Sequence, residues 1–308
     1  MDPFDIPIAL IIFNRPDCAA KIIARVREIK PARLFIIADG PRSTKPGEDS
    51  ICQKTRETVE RAIDWKCDVV RDYADQNLGC GTRLPTGLTN MFERVERAII
   101  LEDDVLPDPS FFPFCRQMLE QHALDERVMQ VGAYNRFQYS PNKQLDYFYS
   151  RFSDIWGWAT WKRAWDKFND FDKAAWGSIR EKDRFETLCY SKREVEMRRF
   201  CLDQIFSGEL SAWGMRWDTT KLLNHGLGVV PSKNLAVNIG FGVGASHTVN
   251  PLNPHRFKKA HGLEPPYQGP ANIASDQGFD EKYNRKMFPN NVLTEKARAG
   301  ILKLIGKK

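Results

Sequence analysis

Short apolar segments alternate with helical segments along the first half of the 308-residue chain, and this alternation constrains the fold most strongly. The apolar segments are residues 6–13, 34–38, 68–70, 98–101 and 128–131, and helical patterns occupy the stretches after residue 17 and around 55–65 and 85–97. Uninterrupted apolar runs are typical of strands buried on both faces. The alternation therefore predicts an α/β fold, a mostly parallel Rossmann-like sheet flanked by helices.

Polar residues follow three of the predicted strands directly. They are Asn14 and Arg15 after residues 6–13, Asp39 after 34–38, and Glu102, Asp103 and Asp104 after 98–101. Ligands of open α/β sheets bind at the carboxyl ends of the strands. Adjacent acids there are costly unless a positive charge meets them. One or two carboxylates completed by phosphate oxygens are the usual way to hold Mg²⁺, so the acids predict a site for Mg²⁺ or Mn²⁺.

Composition and charge exclude several classes of protein. The net charge of +6 is modest, and no arginine-rich helix or RNA-binding signature occurs, so we expect no nucleic-acid partner. The longest apolar run falls short of the roughly 20 residues of a membrane span. The chain begins with acidic residues where a signal peptide would be basic. Seven scattered cysteines favour reduced thiols, and together these features predict a cytoplasmic protein.

The chain changes character near Tyr147 and becomes rich in tryptophan. Its pattern predicts helices around 160–169 and 181–207, a strand pair at 227–230 and 234–239, and loops over 248–291. Trp156 and Trp158 flank Gly157, whose missing side chain would let backbone approach a ligand closely. The tryptophans either pack a helix face on the sheet or offer aromatic faces to a sugar ring.

Six segments, taken in chain order, resemble a known family of enzymes. They are Phe13-Asn14-Arg15-Pro16, Ala38-Asp39-Gly40, Asn77-Leu78-Gly79-Cys80, Leu101-Glu102-Asp103-Asp104-Val105 with Pro109-Ser110-Phe111-Phe112, Asp154-Ile155-Trp156-Gly157-Trp158, and Asn238-Ile239-Gly240-Phe241-Gly242, which leads to Ser246-His247-Thr248. Together they resemble GT-A glycosyltransferases, of the N-acetylglucosaminyltransferase I type and the bacterial hemolytic-protein-like family 2 type. The set spans residues 6–248 and is far more specific than any one member.

The resemblance implies a metal-dependent, inverting transfer of a sugar from a nucleotide-diphosphate sugar, with UDP favoured, to a hydroxyl acceptor such as a cell-surface glycan precursor. The matching positions imply that Asn14, Arg15 and Asp39 contact the nucleotide, that Glu102, Asp103 and Gly157 contact nucleotide or donor sugar, and that Asp104 and His247 hold Mn²⁺ or Mg²⁺. Neutral imidazole suits Mn²⁺ better than Mg²⁺. Residues 1–291 are then one domain, with a nucleotide-binding half over 1–135 and a smaller acceptor-side half over 136–291.

The catalytic base has two candidate positions. Relatives place it in a Trp-Asp motif, and this chain has Trp213-Gly214 and Trp217-Asp218. We expect Asp218 to be the base that takes the acceptor proton, with the following residues starting a helix that Asp218 caps. Asp154 and Asp203 are the alternatives.

Two other functions stay open. The segment 79–86 resembles the phosphate loop of sugar-nucleotide pyrophosphorylases, although it follows the third strand instead of the first. Arg83 in this segment is a candidate diphosphate contact at a helix start, where backbone N–H groups favour anions. Loss of the base at Gly214 would instead leave a non-catalytic nucleotide-sugar binding protein.

Residues 292–308 form a basic amphipathic tail. Five Lys and Arg residues face one acid over 295–308, and four Ile and Leu residues supply an apolar stripe. Such a helix can lie in the headgroup region of an anionic membrane. Because enzymes of the resembled type often use lipid-linked acceptors, the tail predicts peripheral attachment at the inner face of the membrane, with a saccharide or lipid-linked acceptor as partner.

Overall fold

The computed structural model describes residues 4–180, 182–241 and 254–288. One eight-stranded sheet has the order β3-β2-β1-β4-β8-β6-β9-β7, and β5 and β10 form a separate antiparallel pair. The strands are β1 (Ile8–Ile12), β2 (Arg33–Ala38), β3 (Asp68–Tyr73), β4 (Arg97–Glu102), β5 (Val105–Pro107), β6 (Val128–Gly132), β7 (Tyr147–Ser150), β8 (Trp158–Trp161), β9 (Leu227–Pro231) and β10 (Ala236–Asn238).

The large sheet is mostly parallel, which confirms the predicted fold class. Neighbours β3, β2, β1 and β4 are parallel, β6 is parallel to β9, and β8 and β7 run antiparallel to their neighbours. Three of the strands after residue 135, β7, β8 and β9, share this sheet with β1 to β4. Since β1 lies between β2 and β4, the chain segments that leave these three strands meet at one edge.

Helices cover both faces of the sheet. Apolar side chains of α1, α2 and α4 pack on one face, and those of α3, α5 and α9 pack on the other. The helices are α1 (Pro16–Ile29), α2 (Glu48–Arg61), α3 (Cys80–Phe92), α4 (Phe111–Gln121), α5 (Lys162–Asp170), α6 (Lys173–Ile179), α7 (Asp183–Leu188), α8 (Lys192–Phe206), α9 (Gly214–Leu223) and α10 (Gln277–Met287). Among the described residues, no helix has the length and apolar composition to cross a membrane.

Four buried tryptophans fill the core between the sheet and α5 and α9. Trp158 of β8 stacks on Trp213 with ring centroids 5.6 Å apart, and Trp217 lies 5.5 Å from Trp158 and 5.6 Å from Trp165. Large aromatic side chains bury much apolar surface, so this tryptophan cluster fixes α5 and α9 to the sheet.

Several predicted elements need correction. The helix expected over 181–207 is two helices, α7 and α8, and α10 lies within 248–291, where loops were expected. The strands expected to pair, β9 and β10, belong to different sheets. The helix near Asp218 begins at Gly214, so Asp218 lies inside α9 and the expectation that it caps this helix is wrong.

Candidate active site

A cleft of about 470 Å³ opens at the edge where β1, β2 and β4 end. Its lining combines apolar residues of β1 with Trp156 and with polar and charged side chains. The polar and charged members are Arg15, Asp39, Arg42, Asn77, Cys80, Arg83, Glu102, Asp103, Asp104, Ser211 and Asn238. The structure thus brings the polar ends of three strands together, as the sequence predicts.

The three acids of the cleft lie on β4 and the turn after it. Glu102 is the last residue of β4, and the Asp103 carboxylate accepts the Phe13 N–H at 3.0 Å. Arg15, just before α1, places Nη1 2.6 Å from Asp104 Oδ2 and 3.6 Å from Asp103 Oδ1. Because β1 and β4 are adjacent, the loop after β1 delivers this guanidinium to the acidic turn.

These acids carry more negative charge than the guanidinium neutralises. Burial, with the nearby charges of Asp104 and Asp103, raises the pKa of Glu102 to about 8. Burial and the charge of Asp104 raise the pKa of Asp103 to about 7. Within the described residues, the Glu102 carboxylate makes no hydrogen bond or ion pair, although it faces the cleft. The cleft is therefore built to receive positive charge or hydrogen-bond donors.

Asp39 holds the wall of the cleft together. Its carboxylate accepts the N–H groups of Gly40 and Leu78 on one oxygen, both at 2.9 Å. The other oxygen accepts Asn77 Nδ2 and the Gly79 N–H, both at 3.0 Å. The predicted nucleotide contact therefore lies in the cleft, but its oxygens already bind the loop that carries Asn77 and Gly79.

Arg83 lines the cleft, and two of its three guanidinium nitrogens bind the sheet. Its buried guanidinium donates from Nε to the Ala38 carbonyl at 3.1 Å and from Nη2 to the carbonyl and carboxylate of Asp72. The Gly81 N–H donates to Ser211 Oγ at 3.1 Å. These donors bind the fold and not the cleft, whereas Arg83 Nη1 has no hydrogen bond among the described residues, so the diphosphate contact expected at Arg83 stays a prediction.

Trp156 lines the cleft, whereas Gly157, the predicted donor contact next to it, is not among the lining residues in the described part of the chain. Gly157 has φ +72°, a left-handed conformation that favours glycine, and a Cβ there would stand 3.2 Å from Ala133 Cβ. Trp156 lines the cleft and packs on Tyr134, with ring centroids 4.8 Å apart, and on His255 at 5.7 Å. Trp158, for which the sequence left core packing and sugar stacking open, is buried in the tryptophan cluster.

The predicted base and its alternatives are all held by cations. Asp218 accepts Arg198 Nη2 at 2.8 Å, and Lys221 Nζ lies 3.4 Å away. Burial would raise the pKa of Asp218, but these two charges outweigh it and lower the pKa. Asp218 does not line the cleft among the described residues. The alternatives Asp154 and Asp203 pair with arginines in the same way.

Asn14 is not among the described residues that line the cleft, and its Nδ2 donates to Glu48 Oε1 at 2.9 Å. The metal ligand predicted at His247 and the tail over 292–308 lie outside the described residues. The sequence did not point to Arg42, whose Nε donates to Glu48 Oε2 at 2.9 Å, or to Ser211. Arg42 stands close to Asp39 in the chain, and this proximity was the available signal.

Carboxylate oxygens of Glu102, Asp103 and Asp104 line the cleft, and oxygen atoms are the ligands that Mg²⁺ and Mn²⁺ prefer. In the part of the chain that the structure describes, no group of three or more His, Cys, Asp or Glu side chains has the geometry to hold a metal ion by itself. Asp103 and Asp104 are the carboxylates that could contribute to such a site together with a ligand from outside the protein.

No protein-family model matches this chain. No curated protein sequence matches it either. Solved structures match about half of it. A cytidylyltransferase from Leptospira borgpetersenii is 11% identical with a TM-score of 0.34, and the match covers 54% of this chain and 64% of that one.

Two further structures match in the same way. The 4-diphosphocytidyl-2C-methyl-D-erythritol synthase of Anaerococcus prevotii is 10% identical with a TM-score of 0.32, over 54% of this chain and 76% of that one. A UDP-glucose pyrophosphorylase in complex with UDP-glucose is 12% identical with a TM-score of 0.25, over 41% of this chain and 56% of that one. Matches this distant assign no activity to this chain.

Proposed function

We propose that this protein is a glycosyltransferase that moves a sugar from a nucleotide-diphosphate donor, with UDP favoured, to a hydroxyl acceptor. The carrying observation is the acidic turn at the carboxyl edge of the sheet. There, three carboxylates line one cleft: Asp103 and Asp104 pair with Arg15, and Glu102 has no bonding partner among the described residues. The same cleft contains Arg42 and an aromatic wall at Trp156.

A divalent cation fits this donor set. Three carboxylates and one guanidinium leave two negative charges when all are ionised, and Mg²⁺ or Mn²⁺ would neutralise them. Such ions are commonly bound by one or two carboxylates plus substrate phosphates, so Asp104, with Asp103 beside it, would hold the cation. When bound, the cation supplies Lewis-acid stabilisation of the charge that develops on the departing nucleoside diphosphate.

Side chains of the cleft would bind the other parts of the donor and the acceptor. Arg42 and Arg15 supply guanidinium groups for the nucleotide and its diphosphate. Glu102 accepts hydrogen bonds from donor-sugar hydroxyls, since its carboxylate faces the cleft without a partner among the described residues. Asp39 shapes the wall by fixing the loop that carries Asn77. Trp156 offers an aromatic face on which an acceptor sugar can stack.

Proton removal from the acceptor requires a carboxylate near the reacting hydroxyl. Asp218 stays a prediction for this role, but its pairing with Arg198 makes it a weak base. Glu102 is the other candidate, because its carboxylate lines the cleft without a bonding partner among the described residues. In that role it contacts the acceptor hydroxyl instead of the donor sugar. Turnover in Glu102→Gln and Asp218→Asn variants separates the two.

Titration calorimetry of UDP with and without Mn²⁺ tests the proposal. We expect Mn²⁺ to increase UDP affinity in the wild type. The factor of this increase should be at least tenfold smaller in Asp104→Asn. The matched control is Asp68→Asn, the same change at the start of β3, where Asp68 pairs with Arg33 on the surface. Equal Mn²⁺-dependent affinity in wild type and Asp104→Asn would refute the assignment of Asp104.

Identifying the reaction products distinguishes the proposed glycosyltransferase from the two alternative functions. A glycosyltransferase releases free nucleoside diphosphate from a nucleotide sugar, and adding the acceptor increases this release above the rate of donor hydrolysis by water. A pyrophosphorylase instead forms nucleotide sugar from a nucleoside triphosphate and a sugar phosphate, and a binding protein does neither. A panel of donors with Mn²⁺, screened first by thermal stabilisation, selects the donor for this assay.

A further inference from the structure

Arg15 occupies the position at which a cation would neutralise the acidic turn. Its Nη1 lies 2.6 Å from Asp104 Oδ2 and 3.6 Å from Asp103 Oδ1, and its side chain is 16% exposed. Gly240 closes over this pair, since a Cβ on Gly240 would lie 2.6 Å from Asp104 Oδ2 and 2.9 Å from Arg15 Nη1. A cation that binds Asp104 Oδ2 must therefore compete with Arg15 for that oxygen.

We propose that Arg15 is an exchangeable counter-ion, displaced from Asp104 by the divalent cation and then used to bind the donor diphosphate. This inference rests on the proposed function. Carboxylates buried without a positive charge are costly, so a guanidinium that never loses its charge keeps the cation-free site folded. Once a cation takes over the carboxylate, the same guanidinium is released within a cleft that it already lines.

The exchange makes cation and nucleotide binding cooperative. The cation alone must break the Arg15–Asp104 pair, and this competition lowers its apparent affinity. With nucleotide present, the released guanidinium gains a phosphate partner that its planar fork fits well. Because coupling between two ligands is reciprocal, each ligand then raises the affinity of the other by the same factor.

Two titrations at fixed ionic strength test the exchange: Mn²⁺ alone into the full chain, and UDP into the Mn²⁺-loaded chain. In Arg15→Gln, we expect Mn²⁺ alone to bind at least fivefold more tightly and UDP to bind at least tenfold more weakly. Arg27→Gln is the matched control, because Arg27 lies on the same helix, α1, and pairs with Asp64 at the surface. It should leave both affinities within twofold of wild type.

Each other outcome has a definite meaning. Unchanged or weaker Mn²⁺ binding in Arg15→Gln overturns the exchange. Tighter Mn²⁺ binding with unchanged UDP affinity overturns the transfer of Arg15 to phosphate. Absence of Mn²⁺ binding in both the wild type and Arg15→Gln contradicts the proposed cation site itself. Arg15→Met, which keeps the apolar stem, carries the same expectations if Arg15→Gln does not fold.

Discussion

Replacing Asp39 with Asn should destabilise the protein by about 3 kcal/mol, because a carboxylate that accepts four hydrogen bonds becomes an amide with one acceptor oxygen. In the wild type, Oδ1 accepts from Gly40 and Leu78, and Oδ2 accepts from Asn77 and Gly79. The new Nδ2 group would face two donors and lose both bonds. Hydrogen bonds to charged groups contribute about 1.5–3 kcal/mol each, so two lost bonds set this scale.

Urea unfolding followed by circular dichroism measures this change. With an m-value of about 3 kcal/mol/M, the midpoint should fall by about 1 M. Asp75→Asn, the same change on an exposed residue of the loop that Asp39 binds, should move the midpoint by less than about 0.2 M, in line with other surface substitutions. Equal midpoints for Asp39→Asn and Asp75→Asn would refute the view that Asp39 holds the cleft wall.

Three further substitutions give distinct readouts. Gly157→Ala forces a side chain into a left-handed backbone at φ +72° and should lower stability by about 1–2 kcal/mol, measured by urea unfolding; an unchanged midpoint would count against backbone strain there. Burial and the charge of Arg136 lower the pKa of His255 to about 4, so the neutral imidazole makes its full contribution to folding stability above pH 6.5, and this contribution is lost as the pH falls toward 4. Thermal unfolding at pH 7.5 and 4.5 should therefore show a smaller loss of stability in His255→Gln than in wild type. Asp218→Asn should destabilise the chain by about 3 kcal/mol because it leaves the buried Arg198 charge with one partner fewer, whereas a stable variant with turnover reduced about 10²-fold would identify Asp218 as the base.

Local patterns were enough to predict the part of the fold that builds the site. Residues 6–13, 34–38 and 98–101 are apolar without interruption, and such runs leave few alternatives to buried parallel strands. The polar residues that follow them therefore meet at one edge, as Arg15 and Asp104 do. By contrast, the pattern of the tryptophan-rich stretch did not predict β8, because this strand is stabilised by two antiparallel partners, β4 and β6, that are distant in the chain.

The hydrogen-bond and ion-pair partners of the side chains were the least predictable feature of the site. Asp39 and Arg83 have the residue types and positions of ligand contacts, yet the fold uses Asp39 to hold a loop 38 to 40 residues away and Arg83 to bind the end of β2. Asp218 likewise pairs with Arg198, which lies 20 residues earlier on another helix. Sequence spacing indicates which groups reach an edge, but long-range partners decide which of them stay available to a ligand.

The arrangement of the indole rings also provides two separate spectroscopic signals, one from the core and one from the cleft. Trp158, Trp165, Trp213 and Trp217 lie so close together that their excited states couple, and the resulting near-ultraviolet dichroism should disappear only when the core opens. Trp156 stands apart from them at the cleft, where a bound nucleotide or sugar would change its emission. Dichroism and fluorescence can therefore follow unfolding and ligand occupancy separately in the same unlabelled sample, with Trp156→Phe silencing only the second signal.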